Sequence, residues 1–484
     1  MKKPFLYFLM LVLAWMPIGS RALADGLPDL GEVSQGDLSP QMEKRIGQQV
    51  MNDIRLHDPD YLDDPEIEAY LGRIGSRLAA QIEGSHPDFS FFVIKDSTLN
   101  AFAMPGGFIG VHTGLILAAQ SESELASVLA HEISHVTQHH IARGINKQQQ
   151  GQIAALVAMA VAILASRGDS QVTQGAVVGS QAAAIQNQLN YSRDFEREAD
   201  RLGFTLLDKA GFDVRGMATF FGRLEKFGRL YENNAPSYLR THPMTTERMT
   251  DIDNRVVLKP YRQVPDSIDF LLVKAKLRAQ EGTPADAVAD LTRQVGERKF
   301  NAEIAARYGL ASARLRADDA AGAETEMQRL RKEKADSPML DTLAAAIERK
   351  AGNTEGALKI LRQSLGRYPQ ARAVAYGIME CLLDLHRGED AVRFGNDDLQ
   401  SYTTDYRMYA LLARAYAAQG KQLQQHRAQA EYYYLTGQLM PAIEQLTIAQ
   451  RAPDGDFYGH SQVDARLREL KSMQAEEAKD KKTQ

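Results

Sequence analysis

The spacing of apolar residues along this chain changes character several times, and each change marks an element. Over 41–55 and 65–83 apolar residues recur every three to four positions, which predicts two amphipathic helices. Phe89 to Ile94 is a run of strand formers, and Asn100 to Val111 is a second extended stretch broken by Pro105-Gly106-Gly107, a turn. Helical spacing returns after Ser121. Glu124, three residues on, completes a capping box, and Leu125, Val128 and Leu129 share one side of a helix expected to run to about Ala142.

Residues 152–187 read differently. Ile153 to Ala165 is unbroken apolar sequence, followed by a Gly-, Ala- and Gln-rich stretch. The run is shorter than the ~20 residues a spanning helix needs. A buried core helix, a lid over an active site and transient membrane contact all fit it.

From about 266 the texture becomes Ala-, Leu- and Arg-rich helix with little strand character. Ala323, Ala357 and Ala391 are 34 residues apart, and Ala287 lies 36 before Ala323. Gly282, Gly352 and Gly437 each precede an alanine (Ala287, Ala357, Ala442) by five positions, and Pro369 follows Ala357 by twelve. This pattern is similar to tetratricopeptide repeats: a turn between two helices, a small residue where helices meet, and a closing proline. One repeat cannot bury its apolar face alone, so the expectation is an all-α solenoid over 266–473. The register loosens after 400, and 474–484 reads as a charged, fraying tail.

The N-terminus has the layout of a cleaved secretory signal: Lys2 and Lys3, an apolar run from Phe5 to Ile18, then small residues in Ala22-Leu23-Ala24. Cleavage would leave a chain from Asp25 and point to the bacterial periplasm. The expected organisation is signal at 1–24, an α+β domain over 25–262 and the repeats. Composition is that of a globular protein, at 44% hydrophobic and 25% charged residues. A net charge of −5 argues against nucleic acid as the main partner. The single cysteine, Cys381, excludes an internal disulfide and falls in a predicted repeat helix, where a buried thiol fits.

His131-Glu132-Ile133-Ser134-His135 is H-E-x-x-H. On a helix the two histidines share a face and can hold one metal ion, with Glu132 beside it as proton acceptor for a bound water. Zinc suits such nitrogen and oxygen ligands. A third ligand must come from elsewhere, because position 141, where some such motifs carry another histidine, is Ile141. Glu196 and Asp200 lie at i and i+4 on a later predicted helix. Glu196 is assigned to the metal, Asp200 to the far nitrogen of a ligand histidine, and Glu198 points elsewhere. His139 and His140 read as surface residues, His112 as structural, and His57, His86, His386, His426 and His460 show no partner pattern.

With these motifs the chain resembles the M48 family of zinc metallopeptidases: His131, Glu132 and His135 match its H-E-x-x-H, and Glu196 with Asp200 its E-x-x-x-D. Asn100-Ala101-Phe102-Ala103-Met104-Pro105-Gly106-Gly107 and Thr241-His242-Pro243 extend the resemblance. It implies a zincin-like domain with a small sheet and one Zn²⁺. The implied activity is periplasmic endopeptidase action that degrades misassembled outer-membrane β-barrel proteins and promotes their assembly, with repeats that dock on barrel assembly machinery and on substrates. It also implies that His242 either fills an open metal position in a resting form or stabilises the transition state, accompanied by Arg248. The strand Asn100, Ala101, Phe102, Ala103, Met104 would pair with extended substrate. Two other readings stand beside it: a chaperone-like assembly factor with a normally silenced protease site, and a repeat scaffold with a structural zinc.

Overall fold

The computed structural model describes residues 39–144, 193–230, 237–333 and 335–483. The expected signal and the apolar 152–187 segment lie outside them. Ser39 caps α1 (Pro40–His57) and Asp64 caps α2 (Pro65–Ala79), each with a proline in the first turn, where a backbone donor is not needed. Three short strands follow, β1 (Ser90–Ile94), β2 (Ala101–Met104) and β3 (Phe108–His112). They lie in the order β1-β3-β2, with β1 parallel and β2 antiparallel to β3. Among the described residues β2 is therefore an edge.

Successive side chains alternate between the two sheet faces, and both faces are covered. Phe91, Val93, Ala101, Ala103, Ile109 and Val111 join the large core, while Phe92, Ile94, Phe102, Met104 and Phe108 pack on Ile46, Val50, Met51 and Ile54 of α1. The expected turn after β2 holds Gly106 at φ 76° and Gly107 at φ 93°. Helix α1 presses so closely on it that a Cβ at Gly47 would fall 1.9 Å from the Pro105 carbonyl oxygen.

After α3 (Thr113–Ala118) comes the central helix α4 (Glu122–Thr137), buried from Glu122 to Val136. Ser121 Oγ accepts from the Glu124 N–H, and Glu124 reaches back to the Gln120 N–H at 2.6 Å. The expected helix to Ala142 is not continuous. It stops at Thr137, His139 takes a left-handed φ of 51°, and α5 (His140–Gly144) starts afresh. Then follow α6 (Arg193–Lys209), α7 (Arg215–Leu230), α8 (Ser237–Thr241) and α9 (Thr246–Val257). Gly203 lets α6 lie against α4, where a Cβ would stand 3.1 Å from the backbone of Ala130.

The rest is helical: α10 (Ile268–Ala279), α11 (Pro284–Gly296), α12 (Glu303–Arg316), α13 (Ala320–Leu330), α14 (Pro338–Lys350) and α15 (Thr354–Arg367). It continues through α16 (Arg372–Asp384), α17 (Gly388–Ser401), α18 (Tyr406–Ala417), α19 (Gln422–Leu435), α20 (Leu439–Ala449) and α21 (Phe457–Thr483). The repeat alanines Ala287, Ala323, Ala357, Ala391 and Ala442 are all buried where helices meet. The period also shows in the backbone, since Gly282, Asp318, Gly352, His386 and Gly420 all adopt positive φ at the turns. Gly437 does too, but it lies 17 residues beyond Gly420, half a repeat. Cys381 is fully buried, and burial pushes its thiol up to about 11, so it stays protonated. The tail does not fray at 474: α21 runs to Thr483, because Gln, Glu, Ala and Lys are good helix formers.

The elements before residue 262 and the first repeat helices share one hydrophobic core, with Ile67, Leu71 and Ile74 of α2 in the same cluster as Phe270, Val273, Met339 and Leu343. Charge reinforces it. Lys276 reaches Asp64 at 2.5 Å and Glu66 at 2.6 Å, and Arg407 reaches Glu68 at 2.8 Å and also Asp63.

Candidate metal centre

Four donors from two helices and the segment after α8 converge in the core. His131 and His135 come from one face of α4, Glu196 from α6, and His242 from the residue that follows α8. Each is at most 1% exposed, and their ligand atoms all lie within 4.8 Å of one another. His131 Nε2 stands 2.9 Å from His135 Nε2 and 3.3 Å from His242 Nδ1. Glu196 Oε1 is 3.0 Å from His242 Nδ1 and 3.4 Å from His135 Nε2.

The surroundings decide which nitrogens face this point as lone pairs. Asp200 Oδ1 takes the Nδ1 side of His131 at 3.0 Å, leaving Nε2 for the cluster. Arg248 holds Asp200 with a two-pronged contact, Nε at 2.6 Å and a terminal nitrogen at 2.8 Å, and its other terminal nitrogen reaches Glu196 at 2.7 Å. Thr245 caps α9 by accepting from the Arg248 N–H, which fixes where that arginine starts. Tyr238 lies stacked on the His242 ring, with centroids 4.6 Å apart.

Two imidazole lone pairs 2.9 Å apart repel unless a cation lies between them. Burial favours neutral imidazole, but the hydrogen bonds to Asp200 and Glu196 outweigh it and raise the His131 pKa to about 9. A proton can therefore fill that place, and so can a metal ion. Burial pushes His135 well below its ordinary value, so it stays neutral. Glu196 is held well below the carboxylate range: burial opposes ionisation, but His242 and Arg248 overcome it. Three imidazole nitrogens and one carboxylate oxygen form a donor set that fits a borderline divalent ion such as zinc.

Glu132 lies beside this cluster, fully buried, with no side-chain hydrogen bond to either oxygen among the described residues. Glu132 Oε1 stands 3.6 Å from His242 Nε2. Burial raises its pKa, opposed by His242 and His131. A buried carboxylate with no side-chain donor is a costly arrangement unless it has chemistry to do.

Of the residues singled out in the sequence, His131, Glu132, His135, Glu196, Asp200, His242 and Arg248 are brought together here. Asn100, Ala101, Phe102, Ala103 and Met104 form β2 and the residue before it, with their side chains buried, so only the backbone edge can meet another strand. Ala103 backbone lies beside Glu132. His112 is buried against Thr98 and Asp96, as a structural residue would be. The surface reading of His140 fails: it is 1% exposed, because the chain turns back at His139 instead of continuing the helix. His139 is partly covered and bonds Glu43 at 2.7 Å. Spacing gave no sign of Tyr238 or His140, because neither repeats at a helical interval from the motif.

The sequence profile of peptidase family M48 matches residues 65–256, a span holding all four donors. The Escherichia coli β-barrel assembly-enhancing protease is 29% identical over 93% of this chain and 92% of its own length. A Vibrio cholerae protein given that name provisionally is 33% identical over 92% of each chain. Metalloprotease YcaL of Escherichia coli is 31% identical over 38% of this chain and 68% of its own. The crystal structure of the P58(IPK) tetratricopeptide domain is matched over 70% of this chain at 14% identity and TM-score 0.17, too distant to bear on the fold. Near-full-length similarity to these proteases, together with a peptidase segment that carries the whole donor cluster, places the chain in peptidase family M48 as a metallopeptidase.

Proposed function

We propose that this metallopeptidase is a periplasmic zinc endopeptidase whose substrates are outer-membrane β-barrel proteins that have failed to assemble, and that its repeats dock on the barrel assembly machinery. The observation that carries the catalytic part is the buried Glu132 carboxylate, with no side-chain hydrogen bond, next to four converging donors. The names of the full-length relatives support the substrate class, and the signal-like N-terminus supports the compartment. Among the described residues no helix is long and apolar enough to cross a membrane.

His131, His135 and Glu196 would hold the ion. When bound, it lowers the pKa of water toward ~7 and polarises the scissile carbonyl. Glu132 takes the proton from the attacking water and returns it to the leaving amine, a role its raised pKa suits. Asp200 keeps His131 oriented, and Arg248 keeps Asp200 and Glu196 ionised. His242 is a fourth donor in this arrangement, as in a resting form; displaced from a bound ion, it would leave a position for water and would face the developing oxyanion. The β2 edge takes the extended substrate as an added strand, with backbone bonds supplying most of the contact.

Chelation tests the reading directly. Stripping the metal should abolish cleavage of an unfolded casein-type substrate, and added zinc should restore it. Cleavage that survives full chelation overturns the proposal. A pH series follows from His131. Its raised pKa means that the metal-free site keeps a proton below about 9, which the ion must displace. Zinc affinity, measured by competition against a chelator of known affinity, should rise about tenfold per pH unit from 7 toward 9 and then flatten. A flat profile across that range would remove the proton from the cluster.

A further inference from the structure

His140 was expected at the surface and Glu198 to point away from the metal. The structure instead joins them in a chain that ends on a ligand. Helix α4 stops at Thr137, and His139, at φ 51° and tied to Glu43, reverses the path. A left-handed conformation is uncommon for any residue but glycine and costs on the order of 1 kcal/mol or more, so something holds it. Its effect is to bring His140 back under the helix it has just left. His140 Nδ1 lies 2.8 Å from His135 Nδ1. On its far side His140 Nε2 lies 3.1 Å from Glu198 Oε2, and Arg143 meets the same oxygen at 3.1 Å. The ring is sandwiched flat on Phe195, 4.4 Å between centroids and 9° from parallel.

The donor directions follow from the ligand. His135 turns Nε2 to the cluster, and ligation there needs the lone pair on that nitrogen. The proton of His135 is then on Nδ1 and donates to His140 Nδ1. His140, accepting there, carries its own proton on Nε2 and donates to the Glu198 carboxylate. Helix α6 thus supplies three carboxylates with three tasks. Glu196 faces the cluster, Asp200 backs His131 directly, and Glu198 backs His135 at one remove.

We propose that His140 and Glu198 are positioning residues for the metal centre: they fix the tautomer and plane of the His135 ring and strengthen it as a ligand. This rests on the metal-site reading above. A carboxylate behind a ligand histidine is a general device, and removing it costs about 10–100-fold in metal affinity.

The test compares full-length wild type with His140→Phe, His140→Gln and Glu198→Gln. Zinc affinity is read by chelator competition, the cobalt(II)-loaded visible spectrum reports ligand geometry, and thermal unfolding is followed without metal. Phenylalanine keeps the stack on Phe195 but offers no nitrogen. His140→Phe should bind zinc about 10–100-fold more weakly and change the cobalt bands, with the metal-free midpoint within a few degrees of wild type. His140→Gln should recover part of the loss, and Glu198→Gln should lose a few-fold in the same direction. Wild-type affinity and spectrum in His140→Phe overturn the proposal. If that variant does not fold, Glu198→Gln decides: unchanged zinc affinity and cobalt bands overturn it. Failure of the wild type to bind zinc at all would instead overturn the metal-site reading.

Discussion

Replacing Glu132 with glutamine should reduce peptide hydrolysis by about 10³-fold while leaving the metal in place. The substitution is nearly isosteric, and the side chain it alters is fully buried. Glu132 is outside the four-donor set, so zinc content should be unchanged. What is lost is a proton acceptor within reach of the attacking water, a contribution of about 10²–10⁴-fold in comparable cases. Cleavage should be measured under single turnover on an unfolded casein-type substrate, alongside metal analysis of the same preparation. More than a tenth of wild-type activity in Glu132→Gln would mean that another group takes the proton. The same variant separates protease from assembly factor. Full support of barrel assembly by a catalytically dead chain would favour the chaperone-like reading.

The second large effect falls on stability. Arg248 is 3% exposed and lies between Asp200 and Glu196. Removing it in Arg248→Ala strands two buried carboxylates, and uncompensated buried charge costs about 3–5 kcal/mol. The thermal midpoint should fall by on the order of 10 °C. Arg248→Lys keeps the charge but not the fork that grips Asp200 twice, so it should fall between the two. Adding Asp200→Asn to Arg248→Ala should recover part of the loss, since one stranded charge is gone. A midpoint for Arg248→Ala within 2–3 °C of wild type, roughly 1 kcal/mol, would show that water reaches the carboxylates.

The sequence was readable where side-chain chemistry and helical spacing coincide. His131 and His135 share a face because they are four apart, and Glu196 with Asp200 for the same reason. The strand-turn-strand around Pro105-Gly106-Gly107 was readable because only glycine accepts φ near 76° and 93° at no cost. What was lost lay where a residue without that signature does a turn's work. His139 breaks α4 and sends His140 inward, yet histidine carries no breaker signal, so spacing alone extended the helix to Ala142. The repeats show the same effect. Gly282 and Gly352, two repeats apart, mark the turns, but Asp318 and His386 hold the equivalent left-handed positions unannounced. Gly437 is half a repeat out of phase with Gly420, so a glycine count loses the register after 400.

Helix α2 packs on α10 and α16, and its apolar side belongs to a cluster that runs from the strands into the array. The modular boundary suggested by composition near 262–266 is therefore not a place where the chain can be cut and rejoined. A fragment ending there would show water the apolar faces that Phe270, Val273 and Met339 now cover. The first helices of the array thus share one core with the catalytic half, and even α18, well along the array, is tied to α2 through Arg407.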